Sequence, residues 1–261
     1  MNPTKHSLSG LRLLRHLAGE EGVRIFTIGQ ARQAAEKLQM KQPYVAEALY
    51  HLQKEGWIRP LKRSLYVMSA ESGFGPSPHE FEIATSLVTP CAISHWSAMH
   101  YHHLTQQTPN KIFAITPKGT AIPRSLSHEL YQYVQVTAEH YFGIAKVWVE
   151  QSQIEITDRE RTLLDGLMMP QYCGDFQEVL HAFTMNREEL QVPRLLEYTF
   201  RLPGAVAKRL GWVLERLGVQ EDLLKPLLER PVKGYRRLDP TGPRAGPYNK
   251  KWMIQENIGV V

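Results

Sequence analysis

Residues 25–68 read IFTIGQARQAAEKLQMKQPYVAEALYHLQKEGWIRPLKRSLYVM, and this stretch decides the fold of the amino-terminal part of the chain. Thr27 is placed to cap a run of strong helix formers, Gln30 to Leu38. After a turn at Gln39 and Met40, the spacing predicts a second helix over Gln42 to Glu55, because Val45, Ala48, Leu49 and Leu52 recur on one face. Its other face carries Lys41, Gln42, Tyr44, Glu47, Tyr50, His51 and Lys54. Gly56 stops the helix, and Trp57, Ile58, Leu65, Tyr66 and Val67 predict two short strands around Pro60, Leu61, Lys62, Arg63 and Ser64.

Two helices followed by a cationic hairpin are the layout of a winged helix-turn-helix. In that arrangement the second helix enters the major groove and the hairpin grips phosphate. The residues expected to meet DNA are therefore Lys41, Gln42, Tyr44 and His51 on the helix, Lys54 as a phosphate contact, and Lys62 with Arg63 in the wing. Lys41, Gln42 and Tyr44, at the helix start, are the expected base readers. Arg12, Arg15 and Arg32 flank the first two helices and are weaker candidates.

The chain of 261 residues is long enough for two domains, and 43% hydrophobic with 22% charged residues is an ordinary globular balance. No apolar run approaches a membrane span, and the first residues, MNPTKHSLSGLRLLRHL, read as a helix of the domain rather than a secretory signal. Cys91 and Cys173 stand far apart in no metal-binding spacing, which points to reduced thiols and a cytoplasmic setting. The net charge of +5 is unevenly divided. Residues 1–70 hold 11 Lys and Arg against 5 Asp and Glu, a net of +6; residues 71–200 hold 8 against 15, a net of −7; residues 201–251 hold 12 against 5, a net of +7. The last cluster, led by Lys208, Arg209, Arg216, Arg236 and Arg237, is a candidate surface for a second anionic partner.

Gly, Ser and Pro in Ser69 to Pro78 mark a linker, giving a DNA-binding domain over 1–70 and a second domain over 78–261. In the second domain, short helices are expected at His79–Val88 and Ser94–His103, and strands at Lys111–Thr116, Tyr131–Val136, Gly143–Glu150 and Ile154–Ile156. The pattern Thr157-Asp158-Arg159-Glu160 is a capping box that opens a helical half, with further helices at Gly174–Phe183, Glu188–Phe200, Gly204–Leu217 and Glu221–Leu228. Trp252, Met253 and Ile254 are a candidate closing strand. The expected fold class is α+β, a winged helix-turn-helix followed by a mixed-sheet domain with a helical carboxy-terminal half.

The residues offer little to an enzyme. His95, His100, His102 and His103 cluster, but no Asp, Glu or Cys lies within a turn to complete a metal site, so packing is the expected role. Asp158, Arg161 and Asp165 share a helical face as a charge network. Glu150, Glu155 and Lys146 do not form the strand-borne set of a metal-dependent nuclease, and neither a phosphate-cradling glycine loop nor a nucleophile elbow occurs. No cofactor and no metal are expected.

The winged-helix segment together with Ile93-Ser94-His95-Trp96-Ser97-Ala98-Met99-His100-Tyr101-His102 and Ile156-Thr157-Asp158-Arg159-Glu160-Arg161-Thr162-Leu163-Leu164-Asp165 resembles the AbiEi family of antitoxins from bacterial type IV toxin–antitoxin systems. The likeness spans nearly the whole chain. It implies a first domain that binds inverted repeats in the protein's own promoter and a second that counteracts a neighbouring nucleotidyltransferase toxin, without requiring a stable complex and without catalytic residues. A monomer that binds DNA cooperatively is expected, because repeated half-sites call for two copies while no heptad marks a dimer seam. The alternative is a solitary winged-helix transcription factor with a ligand-sensing second domain.

Overall fold

The computed structural model describes residues 5–20, 22–121 and 130–259. They divide into two compact units, one running to Leu87 and one starting at Val88. Both mix helices with sheets, so the protein is of the α+β class.

The first unit contains α1 (Lys5–Gly19), β1 (Ile25–Thr27), α2 (Ile28–Lys37), α3 (Pro43–Lys54), β2 (Ile58–Lys62), β3 (Leu65–Met68) and α4 (Glu80–Leu87). The strands form an antiparallel sheet in the order β1-β3-β2. Thr27 caps α2 reciprocally: its hydroxyl accepts from Gln30 N at 3.2 Å while the Gln30 side-chain oxygen accepts from Thr27 N at 2.8 Å. The apolar stripe of α3 is buried as its spacing requires, with Val45, Leu49 and Leu52 packed against Leu13, Leu14 and Leu17 of α1 and Phe26 of β1.

Two details depart from the sequence reading. The hairpin is tighter, with β2 and β3 joined through Arg63 and Ser64 alone and Ser64 held at φ 62°, so Lys62 ends a strand instead of crowning a loop. The stretch read as a linker folds back on the unit that precedes it. Ser69 N donates to Trp57 O, Arg24 Nη1 donates to Pro76 O at 3.1 Å, and α4, expected beyond the boundary, belongs to the first unit.

The second unit holds β4 (Ala92–Ile93), α5 (His95–Tyr101), β5 (Ile112–Pro117), β6 (Tyr131–Val136), β7 (Ile144–Val149) and β8 (Ser152–Thr157). Its sheet has the order β6-β5-β4-β8-β7, parallel at β5/β6 and β4/β8 and antiparallel at β4/β5 and β7/β8. The helical half follows as α6 (Arg159–Met168), α7 (Phe176–Met185), α8 (Val192–Thr199), α9 (Gly204–Arg216) and α10 (Glu221–Glu229). Around α6 these helices bury Leu163, Leu164, Leu167, Phe176, Phe183, Leu210 and Leu214 in one core. The helix expected from Glu188 starts only at Val192, where Pro193 occupies the first turn. A small sheet of β9 (Arg236–Arg237), β10 (Tyr248–Asn249) and β11 (Ile254–Gln255) closes the chain, and Trp252 beside it is fully buried.

Candidate nucleic-acid interface

On α3 the side opposite the core presents Tyr44, Glu47, Tyr50, Gln53 and Lys54 to solvent, with Lys41 exposed just before the helix. Tyr50, 63% exposed, meets the half-buried His51 ring edge-on at 5.6 Å. Lys41, Lys54, Arg59 and Arg63 are exposed and form no ion pair with another described residue, which leaves their charge available to a polyanion.

Gln42 is otherwise employed. Its amide nitrogen donates to Glu36 Oε1 at 2.8 Å and to Arg32 O at 3.3 Å, so it ties the start of α3 to α2 instead of reaching outward. Lys62 is half-buried, and its ammonium donates to Leu87 O at 2.8 Å, at the carboxy-terminal end of α4 where a cation is favoured. Both residues were expected to meet DNA; each is bonded within its own unit, Gln42 at an exposed position and Lys62 at a half-buried one. Sequence reasoning passed over Tyr50 and Arg59. Tyr50 lies on the polar face already evident in the spacing, and Arg59 follows the inward-facing Ile58 in strand alternation.

The two strings 93–102 and 156–165 meet in the interior of the second unit. Ile93 pairs with Ile156 across β4 and β8, and α5 packs on α6. Thr157, expected as the helix cap, is the last residue of β8; its hydroxyl lies 2.8 Å from that of Thr162. Asp158 is the cap, accepting from Arg161 N at 2.8 Å and from Tyr198 OH at 2.7 Å. The intrahelical Arg161–Asp165 pair is wholly buried, with Nη2 to Oδ1 at 2.7 Å and the guanidinium 4.4 Å from the Phe142 ring centroid.

His95 is fully buried at a left-handed φ of 51°, with Nδ1 2.8 Å from Ser94 Oγ. His102 Nε2 lies 2.7 Å from Thr157 O, and His100 is exposed, so the histidines do not converge. Among the described residues no group of His, Cys, Asp and Glu comes together to hold a metal ion. Burial pushes the Cys91 thiol up to about 12 and Cys173 well above its ordinary value, which leaves both unreactive at neutral pH.

Burial, outweighing the pull of Asp165, lowers the His95 pKa to about 4, with Arg161 adding to the depression. The unfolded chain binds this proton near the ordinary histidine value of 6.5, and the folded protein resists it. Stability is therefore fully present above pH 6.5 and declines as pH falls toward the folded value, by about 2 kcal/mol at pH 5. Partial burial of His102 acts in the same direction. Denaturant unfolding at pH 7.5 and pH 5.0 checks this; equal stabilities would show that His95 takes up its proton freely in the folded chain.

The carboxy-terminal cations divide into two kinds. Lys208 and Arg209, expected at the surface, are 3% and 7% exposed. Lys208 Nζ donates to Leu227 O and Leu228 O at the end of α10, while Arg209 donates from Nε to Arg237 O and from Nη1 to Leu167 O, both at 3.1 Å. Both are tied to backbone carbonyls beneath the exposed surface, and Arg209 also lines a cleft. Arg216 lies half-exposed over the Trp212 ring at 3.5 Å and contacts Glu256. Arg236 is exposed, and Arg237 is partly so.

This α+β architecture has a solved counterpart. The chain is similar in fold to the RV2827C protein from Mycobacterium tuberculosis, with a TM-score of 0.68 and 13% sequence identity over 95% of this chain and 90% of that one. No protein-family model matches the chain, and no curated protein does. Among the described residues no helix is long and apolar enough to cross a membrane.

Proposed function

We propose that the first unit is a winged helix-turn-helix that binds duplex DNA, with α3 in the major groove and the β2–β3 hairpin as the wing. The observation that carries this reading is the set of exposed cations that form no ion pair among the described residues, Lys41 and Lys54 around α3 and Arg59 and Arg63 on the hairpin, together with the exposed Tyr44 and Tyr50 of α3. Cations without partners release counterions from DNA, and tyrosines at the same face supply contacts to base edges and sugar. The resemblance to AbiEi antitoxins extends the proposal: a cytoplasmic bacterial autorepressor that binds inverted repeats cooperatively as a monomer and counteracts a nucleotidyltransferase toxin.

The test is fluorescence anisotropy of the full chain on its own promoter duplex and on a scrambled one. Arg59→Ala with Arg63→Ala is expected to weaken both alike and to flatten the salt slope by about 2, as two phosphate contacts require. Tyr44→Ala is expected to erode mainly the preference for the promoter, by about 1–3 kcal/mol if it contacts a base. Unchanged duplex affinity of the arginine pair variant at low salt would remove the wing from the proposal. Growth of a bacterial host that expresses the neighbouring nucleotidyltransferase, with and without the full chain, reports the antitoxic half as rescue.

A further inference from the structure

A cleft of about 430 Å³ in the second unit is lined by Arg209, Tyr235, Arg236, Arg237, Arg244 and Gln255. Four arginines line it. Arg209, 7% exposed, is the most buried of the four and is pinned through Nε and Nη1 to the carbonyls of Arg237 and Leu167, so its position is fixed before any ligand arrives. Arg237 is held by donation from Nη1 to Gly242 O. Arg236 and Arg244 stand exposed at the rim and pair with no carboxylate among the described residues.

Asp239 is the nearby acid, and its Oδ1 is engaged by the backbone and hydroxyl of Thr241. Four arginines and no carboxylate among the described residues line the cleft, which leaves it positive. Burial, together with repulsion from Arg237 and Arg236, lowers the Arg209 pKa to about 10 despite the opposing pull of Asp239. The fold keeps these like charges close without supplying their counter-charge.

Tyr235 adds an aromatic ring to the lining of the cleft. Tyr235 is 41% exposed and its ring lies 4.7 Å from that of Tyr248, itself 60% exposed, so two tyrosines stand open beside the arginines. Guanidinium groups match phosphate oxygens, an open tyrosine face offers a stacking platform to a base, and the volume suits a small molecule.

We propose that this cleft binds a 5′-phosphorylated nucleotide, with its phosphates on Arg236, Arg244 and the pinned Arg209 and its base on Tyr235. The nucleotide is either free or the first residue of an RNA, since both present the same group. The inference is independent of the DNA-binding reading of the first unit.

Calorimetric titration of the full chain with ADP, inorganic pyrophosphate, adenosine and a ten-nucleotide RNA, 5′-triphosphorylated or 5′-hydroxyl, tests it. ADP is expected to bind at least tenfold more tightly than pyrophosphate or adenosine. A further tenfold preference for the triphosphorylated RNA over both ADP and the 5′-hydroxyl RNA identifies the RNA end as the source, and its absence identifies the free nucleotide. Arg236→Ala with Arg244→Ala, at exposed positions free of ion pairs, should weaken ADP at least thirtyfold with an unchanged Tm and unchanged duplex DNA affinity. Tyr235→Ala should reduce ADP affinity to that of pyrophosphate and leave pyrophosphate unaffected. Undetectable binding of ADP and of both RNAs, equal affinity for ADP and pyrophosphate, or ADP affinity retained in the double arginine variant would each overturn the proposal.

Discussion

Asp165→Ala is expected to lower the unfolding free energy by about 3–5 kcal/mol, a large share of the 5–15 kcal/mol of a typical domain. Both side chains of the Arg161–Asp165 pair are fully excluded from solvent, and Asp165 Oδ1 accepts from Nε at 3.1 Å and Nη2 at 2.7 Å. Truncation would leave a guanidinium in the interior with the Phe142 ring as its remaining electrostatic support. The pair is itself incompletely satisfied, since Arg161 Nη1 and Asp165 Oδ2 are buried without hydrogen-bond partners. That incompleteness predicts a second result: Arg161→Met with Asp165→Leu should be much milder than Asp165→Ala alone, because removing both charges also removes their desolvation penalty. Urea unfolding of the two variants decides the matter. A loss below about 1 kcal/mol for Asp165→Ala would mean that water reaches the pair.

Gly211→Ala is expected to destabilise by a similar amount, against the usual trend. Helix propensity alone would favour alanine inside α9 by about 1 kcal/mol. An added Cβ, however, would sit 1.9 Å from Trp252 Cζ3 and 2.3 Å from Cη2. The ring cannot yield cheaply. It is fully buried, its Nε1 donates to Glu215 Oε2 at 2.7 Å, and its backbone N donates to Asn249 Oδ1 at 3.0 Å. Expelling a tryptophan from a core costs about 3–5 kcal/mol, so packing outweighs propensity. Denaturant unfolding followed by near-ultraviolet circular dichroism would record the loss together with a changed tryptophan signal. A variant as stable as the parent would show that Trp252 has room to shift.

What the sequence reveals here depends on how local the cause is. The apolar stripe of α3, the Thr27 cap and the strands β5 to β8 are written within a few residues of themselves, and periodicity finds them. Lys208, Arg209 and Lys62 are different. Each looks like an outward-facing cation in one dimension, and each is drawn inward by an acceptor distant in sequence: Leu227 O, Leu167 O and Leu87 O. No spacing rule anticipates an acceptor that only the tertiary fold supplies. The cap of α6 fell one residue late for a related reason, since Thr157 and Asp158 both have cap chemistry and only the inward turn of β8 commits Thr157 to the interior. The basic cleft was legible only as a charge excess over 201–251, because its four arginines come from α9, β9 and the loop after it.

The central strand β4 is two residues long, Ala92 and Ile93, and its neighbours β5 and β8 begin at Ile112 and Ser152. The β7–β8 hairpin can zip from its own turn, but the middle of the sheet has no such shortcut and must wait for distant segments to meet. On a ribosome, the fragment that ends before Ser152 would hold β4 with one flank unsatisfied, so this half of the molecule gains its cooperativity only as synthesis nears the start of the helical bundle.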